Sequence, residues 1–447
     1  MTRRILIFAG LALSLITSGY GQTKPDLSKK WTLMDCINYA LENNIQIKRQ
    51  EITAKISQNN FNQAKINVFP SVGAGFNHTQ SFGRSIDMAT NQFLDQNNYS
   101  GSVGASADLV VFNGFKNVNT ILRQKYALNA YQLQVDKAKD DIVLNIATAY
   151  LQILFSQELL QVAKSQLEVT QQQVEKTKKL VEVGNKAMGD LMQIQAQAST
   201  EKSNVTTANN NLKFSFLILG QLLDMDSVSG FDIQVPENLE VNSTGVIQSV
   251  DNVYSQAENS RPDVKLAENM AKMTEKDLAI AKSSRIPSLS LNGQVYTYYS
   301  QNLLALKTIS DQLSGNISKQ IGISLNIPIF NRYSIETNIA NSKLNVLDAE
   351  FKVRQAKLDL YKAIQQAHQD AVGAFDKYQS SIESVKSNQE AFSYAEQKFN
   401  VGMVSSVDYN VAKNNLTKAK SDLVQAKYEF IFKSRILDFY MGNDIKL

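Results

Sequence analysis

A long stretch without glycine or proline limits what this chain can fold into. The residues between Gly114 and Gly184 include neither, and the whole 447-residue chain has only 20 glycines and 6 prolines. Because these two residues interrupt helices more than any others, the stretch is predicted to form one continuous helix. At about 1.5 Å per residue, that helix is about 100 Å long. We therefore expect an extended molecule built on rod-like helices.

The sequence is internally duplicated. "VGNKAMGD" from Val183 and "VGMVSSVD" from Val401 each place an Asp six residues after a glycine, and they lie 218 positions apart. "VFNG" from Val111 and "IFNR" from Ile329 have the same offset. Matching landmarks at one fixed offset indicate two structural repeats. We assign residues 22–223 and 250–442 to the repeats, 224–249 to a linker and 443–447 to a tail.

Each repeat is predicted to run helix, strand, loop, strand, long helix, tight turn and return helix. Along the first long helix, alternating spacings of four and three residues from Ile142 to Val181 mark twelve uncharged positions, and the equivalent positions from Leu360 to Phe399 are uncharged too. A spacing that averages 3.5 residues predicts supercoiled helices packed knobs into holes. The helical hairpins should turn at Gly184 and Gly402. These patterns alone also fit an antiparallel coiled coil with no channel.

Four segments alternate between apolar and polar residues and are predicted to be strands: 71–82, 99–112, 288–300 and 317–329. Their length is that of a tilted strand crossing a bilayer. Four strands cannot close, and an open edge in lipid leaves backbone groups without partners. Two copies would give eight strands with a filled bore, whereas three give twelve strands and a lumen. A small soluble sheet capping a helical bundle would show the same alternation.

The predicted fold is therefore mainly α with membrane β. Long, duplicated coiled-coil helices would make up the rest of the molecule. Four transmembrane strands per chain would form a 12-stranded β-barrel in a trimer.

The N-terminal residues 1–21 have the pattern of a secretory signal peptide, with two arginines, an apolar run and small residues before Gln22. No Cys comes directly after that site, so the sequence predicts no lipid attachment there. No later stretch reaches 18 consecutive apolar residues, and we expect no transmembrane helix. The only Cys, Cys36, is predicted to be a buried thiol.

The sequence contains few residues that could act in catalysis or bind a metal. His78 falls in a predicted strand and His368 in a long helix, and one Cys cannot build a metal-ligand cluster. No phosphate-binding loop pattern occurs. We therefore predict that the protein is not an enzyme and has no metal and no cofactor. A formal charge of +4 gives no case for nucleic acid as a partner.

The segment "SRPDVKLAENMAKMTEKDLAIAKSSRIPSLSLNG" from Ser260, the duplication, the two strand-to-helix steps and the two Val-Gly turns together resemble a known family. It is the TolC-like outer-membrane factors, the exit ducts of tripartite efflux pumps and type I secretion systems. The resemblance implies a homotrimer in outer-membrane lipid of a Gram-negative bacterium, in which the long coiled-coil helices form a periplasmic α-barrel as a long periplasmic extension. Substrates would arrive passively from an inner-membrane transporter through a periplasmic adaptor (membrane fusion protein).

The resemblance also implies roles for the two tips. Val183 and Gly184, with Val401 and Gly402, would form periplasmic turns against which adaptor hairpins dock. The substrate and the class of transporter stay undetermined.

A tip constriction or gate is implied as well. Asp190 and Asp408 would each form a ring of three carboxylates in a trimer, although Asp408 with Ser405 also fits a capping box that serves only its own helix. The family's usual cation and second acid are Val404 and Val411 here. Lys186 is the nearest substitute cation.

Two other classes of protein remain open on the sequence. A periplasmic adaptor also has a long coiled-coil hairpin, but it would have one hairpin flanked by glycine-rich β domains. A purely structural coiled-coil protein would not need alternating strands.

Overall fold

The structure is a computed structural model that describes residues 29–86, 92–95, 97–236, 247–301, 307–443 and 445. The predicted signal peptide, residues 237–246 of the predicted linker and most of the predicted tail lie outside the described residues.

The described residues form nine helices: α1 (Leu33–Asn43), α2 (Ile45–Ile66), α3 (Lys116–Glu182), α4 (Met188–Leu222), α5 (Val250–Ser260), α6 (Pro262–Ser283), α7 (Ile309–Gly315), α8 (Ser334–Asn400) and α9 (Ser406–Tyr440). They also form six strands: β1 (Ser71–Ser81), β2 (Arg84–Ile86), β3 (Phe93–Asp95), β4 (Asn98–Asn113), β5 (Ser288–Ser300) and β6 (Ser318–Asn326). The prediction of a mainly α fold with four amphipathic strands is confirmed.

The two halves share the same helix lengths. α3 and α8 each have 67 residues, and α4 and α9 each have 35. Both long helices begin after residues with left-handed backbone, including Gly114 (φ 64°) and, at the equivalent position, Arg332 (φ 56°). Gly114 is required for a second reason, because a Cβ there would lie 2.8 Å from the Ser283 carbonyl oxygen. The helix start in the first half therefore depends on glycine.

The predicted coiled-coil positions face inward. None of the twelve from Ile142 to Val181 is exposed, and the same holds from Leu360 to Phe399. The main core lies where α1 and the end of α4 meet the middle of α3, and it includes Cys36, Tyr150 and Leu223. Burial raises the pKa of the Cys36 thiol to about 12, so the thiol stays protonated.

α3 is the one helix among the described residues that is long and apolar enough to cross a membrane on composition alone. Half of its most apolar stretch is buried inside the protein. Ile146 and Ile153 on that helix are fully buried in the main core. Packing within the molecule therefore accounts for the apolar character of α3.

Beside the sheet, the helices form a single layer, and two of them lie at its outer sides. Near the sheet, α2 packs on α3, α3 on α6, and α6 on α8. Farther from the sheet, α3 pairs with α4 and α8 with α9, and α9 joins the two hairpins through contacts with α3 and α4. α2 and α8 therefore lie at opposite sides of the layer beside the sheet.

The four long strands form one antiparallel sheet in the order β1-β4-β5-β6. β1 and β6 are its edges. β6 ends at Asn326, short of the predicted 329, and Pro328 just beyond it has no N–H to donate to a ladder. β2 and β3 form a separate short hairpin in the loop after β1, which the sequence did not predict.

α7 was also not predicted, and it covers the end of β5 that β6 does not reach. The first β6 partner of β5 is Tyr296. Beyond it, the Ser300 N–H donates to Gln312 Oε1 at 2.8 Å, and Gln312 Nε2 donates to the Ser300 carbonyl at 3.2 Å. Gln312 is completely buried, so its side-chain amide takes the place of a strand partner.

A buried ion pair joins the two hairpins. Lys413 of α9 lies 3.3 Å from Glu201 of α4, and their side chains are only 1% and 5% exposed. Thr170 of α3 bonds to both. Burial lowers the pKa of Lys413, although the Glu201 carboxylate acts in the opposite direction. Three helices from both repeats therefore share one desolvated charge cluster.

Replacing Lys413 with Met should lower the free energy of unfolding by about 3–5 kcal/mol, because the Glu201 carboxylate would stay buried without its cation. Denaturant unfolding in detergent, followed by circular dichroism, measures the change. The exposed pair of Lys377 and Glu429 gives a matched control, and Lys377→Met should cost about 1 kcal/mol or less. Equal losses for the two variants would contradict the assigned role of Lys413.

Candidate functional site

The two faces of the four-stranded sheet differ in chemistry. The face that contains Val72, Val103 and Val295 is apolar, and most of its large side chains are solvent-exposed in one chain, with Ile321 at 85%. The opposite face is mostly polar, although Val110, Tyr296 and Tyr298 also lie on it, and its polar residues include these: Asn77, Thr79, Ser100, Ser102, Ser106, Asp108, Ser290, Asn292, Gln294, Ser318, Gln320, Ser324 and Asn326. One face therefore suits lipid and the other water.

The two hairpin tips have the same turn geometry. Gly184 and Gly402 have φ values of 77° and 76°. The Asn185 N–H donates to the Leu180 carbonyl at 2.8 Å, and the Met403 N–H donates to the Lys398 carbonyl at 2.9 Å. These bonds end each long helix with a glycine in the left-handed conformation.

The valines before the two glycines are exposed. Val183 is 68% exposed and Val401 is 71% exposed. No atom of the described residues lies within 4 Å of the Cβ positions of Gly184 and Gly402. Both tips are therefore accessible to a partner.

The two predicted tip aspartates lie in the first turns of the return helices but differ in their contacts. Asp408 accepts bonds from the Ser405 hydroxyl at 2.8 Å and the Ser405 N–H at 3.3 Å, which completes the predicted capping box. Asp190 lies in the first turn of α4, whose Ala187 N-cap makes no side-chain bond. Neither aspartate has an ion-pair partner within the described part of this single chain. The structure does not bring the two together.

Lys186 connects the first tip to the second. Its Nζ donates to the Phe399 carbonyl at 3.2 Å and lies 3.7 Å from the centre of the Phe399 ring. A cation at the end of a helix is favourable because the last carbonyls are unpaired. Lys186 thus caps α8 and contacts neither tip aspartate. The sequence did not predict this contact.

Val404 and Val411 occupy different environments. Val404 packs against the apolar cluster below the second turn, which includes Phe399 and Tyr409. Val411 is 54% exposed. The position that would hold a cation is therefore part of the hairpin core here.

The second tip is recessed relative to the first. Lys176, eight residues before Gly184, donates to Asn400, only two residues before Gly402, at 2.7 Å. On the return helices, the Ser406 hydroxyl donates to Gln193 at 2.7 Å. Both pairings place the second turn short of the first along the hairpin axis.

The buried cluster of Lys413, Glu201 and Thr170 was also missed from the sequence. Thr170 lies on the predicted coiled-coil positions, and a hydroxyl among apolar core positions was the one signal that pointed to a polar partner. Nothing in the spacing identified which charged residues would meet it.

Alanine at either tip glycine should reduce stability by about 1–2 kcal/mol, because a Cβ disfavours the left-handed backbone even where space is free. Gly189 in α4 is a matched control, since it has no left-handed backbone and nothing near its Cβ position. Gly189→Ala should stabilise the protein by about 0.5–1 kcal/mol. Thermal unfolding midpoints of the three variants test these signs, and a stabilising Gly402→Ala would contradict the assigned turn.

Comparison with known proteins identifies the family. The model of the outer membrane efflux protein family matches residues 36–223 and 253–443. Outer membrane protein TolC of Escherichia coli is 23% identical over 454 residues, which span 99% of this chain and 87% of that protein. Outer membrane efflux protein BepC of Brucella suis is 20% identical and covers 91% of this chain and 84% of its own length.

Solved structures have the same fold. The outer membrane protein VceC from Vibrio cholerae matches with a TM-score of 0.77 at 17% identity, over 93% of this chain and 97% of that one. The CmeC outer membrane channel of Campylobacter jejuni matches with a TM-score of 0.76 at 17% identity, over 93% of this chain and 87% of that one. The family match decides against an adaptor and against a purely structural coiled coil. The chain belongs to the outer membrane efflux protein family, whose members are non-enzymatic exit ducts in the outer membrane of Gram-negative bacteria.

Proposed function

We propose that three copies of this chain form a passive exit duct of a tripartite efflux pump or a type I secretion system. An inner-membrane transporter supplies the substrate and the energy, and a periplasmic adaptor connects that transporter to the helical tips. The twelve strands of the trimer cross the outer membrane, and the helices continue the duct into the periplasm.

The two open edges of the sheet are the observation that carries this proposal. β1 and β6 each have one neighbour, so the backbone groups on their outer sides have no strand partner in one chain. Within lipid, each such group costs several kcal/mol. Pairing β6 of each copy with β1 of the next removes every edge once the ring closes. Three copies give twelve strands, which leave a lumen lined by the polar face.

The helical layer is unfinished on the same two sides. α2 precedes β1, and α8 follows β6. Each has apolar side chains, spaced as in a coiled coil, that the described residues leave about half exposed: Ile45, Ile52 and Ile56 on α2, and Leu344, Leu347, Phe351 and Leu358 on α8. A neighbouring copy that closes the sheet would also cover these stripes.

The accessible tips support the second part of the proposal. Val183, Gly184, Val401 and Gly402 offer two equivalent exposed turns per chain, which suit the docking of adaptor hairpins. In a trimer, Asp190 and Asp408 would each be repeated three times around the mouth, where they would favour cations. Lys186, which already joins the two tips, would help to hold them closed.

Cysteine cross-linking across the proposed β6–β1 junction tests the assembly. Gln320→Cys combined with Thr79→Cys or with Asn77→Cys should give a covalent trimer, because one strand pair recurs at all three junctions. The native Cys36 is fully buried and should not interfere. Denaturing electrophoresis reports the products. Gln320→Cys combined with Ser106→Cys is the control, since Ser106 lies on an interior strand.

Covalent dimers without trimers, or no cross-linking with either partner position, would contradict three-copy closure. So would a protein recovered as a water-soluble monomer without detergent.

Neutralising the tip carboxylate tests the gate. Asp408→Asn should lower the ratio of cation to anion permeability by about 30-fold, because a unit charge at about 4 Å in water attracts a cation by about 1 kcal/mol and repels an anion by as much. Reversal potentials of single channels in planar bilayers measure the ratio. Asp251→Asn on α5, remote from the tips, is the control. Unchanged selectivity and closed-state conductance in Asp408→Asn and Asp190→Asn would rule out the carboxylate rings.

A further inference from the structure

One charged side chain interrupts the apolar face of the sheet. Among the described strand residues on that face, Lys319 alone carries a formal charge. It is exposed, and no ion pair involves it within the described part of the chain. A lysine on the lipid face costs about 2–4 kcal/mol at the middle of the bilayer and about 0–1 kcal/mol near its surface. Lys319 is the second residue of β6, at the loop end of the sheet away from the helices.

The pleat limits how β6 can meet β1 of a neighbouring copy. β1 has 11 residues and β6 has 9. Both apolar faces must point to lipid, so Lys319 has to lie opposite one of the even-numbered residues of β1. If every residue of β6 is paired, only two registers satisfy this condition. One places Lys319 opposite His78, and the other places it opposite Gln80.

His78 belongs to a polar and aromatic cluster on the same face. Its Nδ1 lies 2.7 Å from the Tyr299 hydroxyl, and its ring is 6.0 Å from that of Tyr99. Tyr299 reaches His78 across Gly101, where a Cβ would lie 2.4 Å from the Tyr299 ring. In both registers, Lys319 is directly or diagonally opposite His78, within about 8 Å between Cβ atoms. A lysine side chain can cover that distance.

We propose that each subunit junction forms a binding site for a lipid phosphate group, made by Lys319 of one copy with His78, Tyr99 and Tyr299 of its neighbour. The proposal rests on the trimeric closure described above, because neither copy holds the complete site. A trimer has three such sites, and all three face the outer leaflet.

The chemistry at the junction favours a phosphate over a protein anion. β1 contains no acidic residue, and Asp108 of β4 lies on the opposite, polar face. Among the described strand residues, none on that face therefore offers Lys319 a carboxylate. Lipid headgroups carry phosphates at the depth where tyrosines gather near a membrane surface. A cation beside a histidine and two phenol groups can donate several hydrogen bonds to phosphate oxygens.

Native mass spectrometry of the full-length trimer tests the site, with bis-phosphorylated lipid A as the probe. We expect up to three bound lipids per trimer, and an affinity about tenfold lower for Lys319→Gln, since a hydrogen bond to a charged group contributes about 1.5–3 kcal/mol. Lys307→Gln is the matched control. It removes the same charge at the same end of the sheet, from the loop before α7. His78→Phe should also weaken binding, because it keeps a ring but loses the donor.

Equal affinity of wild type and Lys319→Gln for lipid A would overturn the site. So would equal binding of dephosphorylated lipid A, or displacement of the lipid by millimolar inorganic phosphate. Gln320→Cys with Thr79→Cys or Asn77→Cys is also introduced into the Lys319→Gln and His78→Phe variants, and their cross-linking is measured. A covalent trimer in which Lys319→Gln leaves lipid binding unchanged rejects the phosphate site alone, whereas absence of cross-linking in the cysteine variants that keep Lys319 rejects the closure itself.

Discussion

The need for every backbone N–H and C=O in a membrane to find a partner determines most of this structure. One chain supplies four strands and leaves the outer sides of β1 and β6 unpaired. The helices attached to those strands, α2 and α8, are also the outer helices of their layer. Both layers are therefore incomplete on the same two sides, and in the proposed trimer the two neighbouring copies complete both. The loop end shows the same requirement on a smaller scale, where Gln312 pairs with Ser300 beyond the reach of β6.

Periodicity carried enough information to predict the architecture. Helix and strand patterns differ in their repeat, and the duplication gave each prediction an independent copy. The stretch from Gly114 to Gly184 became α3, and the twelve predicted coiled-coil positions on it turned inward. The glycine turns were also recognisable, because Gly184 and Gly402 end uninterrupted helices at equivalent positions. The ends of strands were less certain, and β6 stops before Pro328.

Contacts between distant side chains could not be predicted in the same way. Lys186 lies beside Gly184 in sequence, and nothing in its neighbourhood indicated that it would reach the Phe399 carbonyl. Nothing in the sequence distinguishes Lys413 from the other lysines of α9, yet it is buried against Glu201. Such contacts depend on the relative position of two hairpins along their axes, which a repeat pattern leaves undetermined. The short elements β2, β3 and α7 have no repeated counterpart and too few residues to show a period.

The offset between the two tips sets a geometric condition for whatever binds there. Gly402 lies short of Gly184 along the hairpin axis, given the pairing of Lys176 with Asn400. In the proposed trimer, the end of the molecule is then a crown of alternating high and low points. A flat-ended partner would rest on the three protruding hairpins alone. Only a partner with projecting segments can contact all six turns at once.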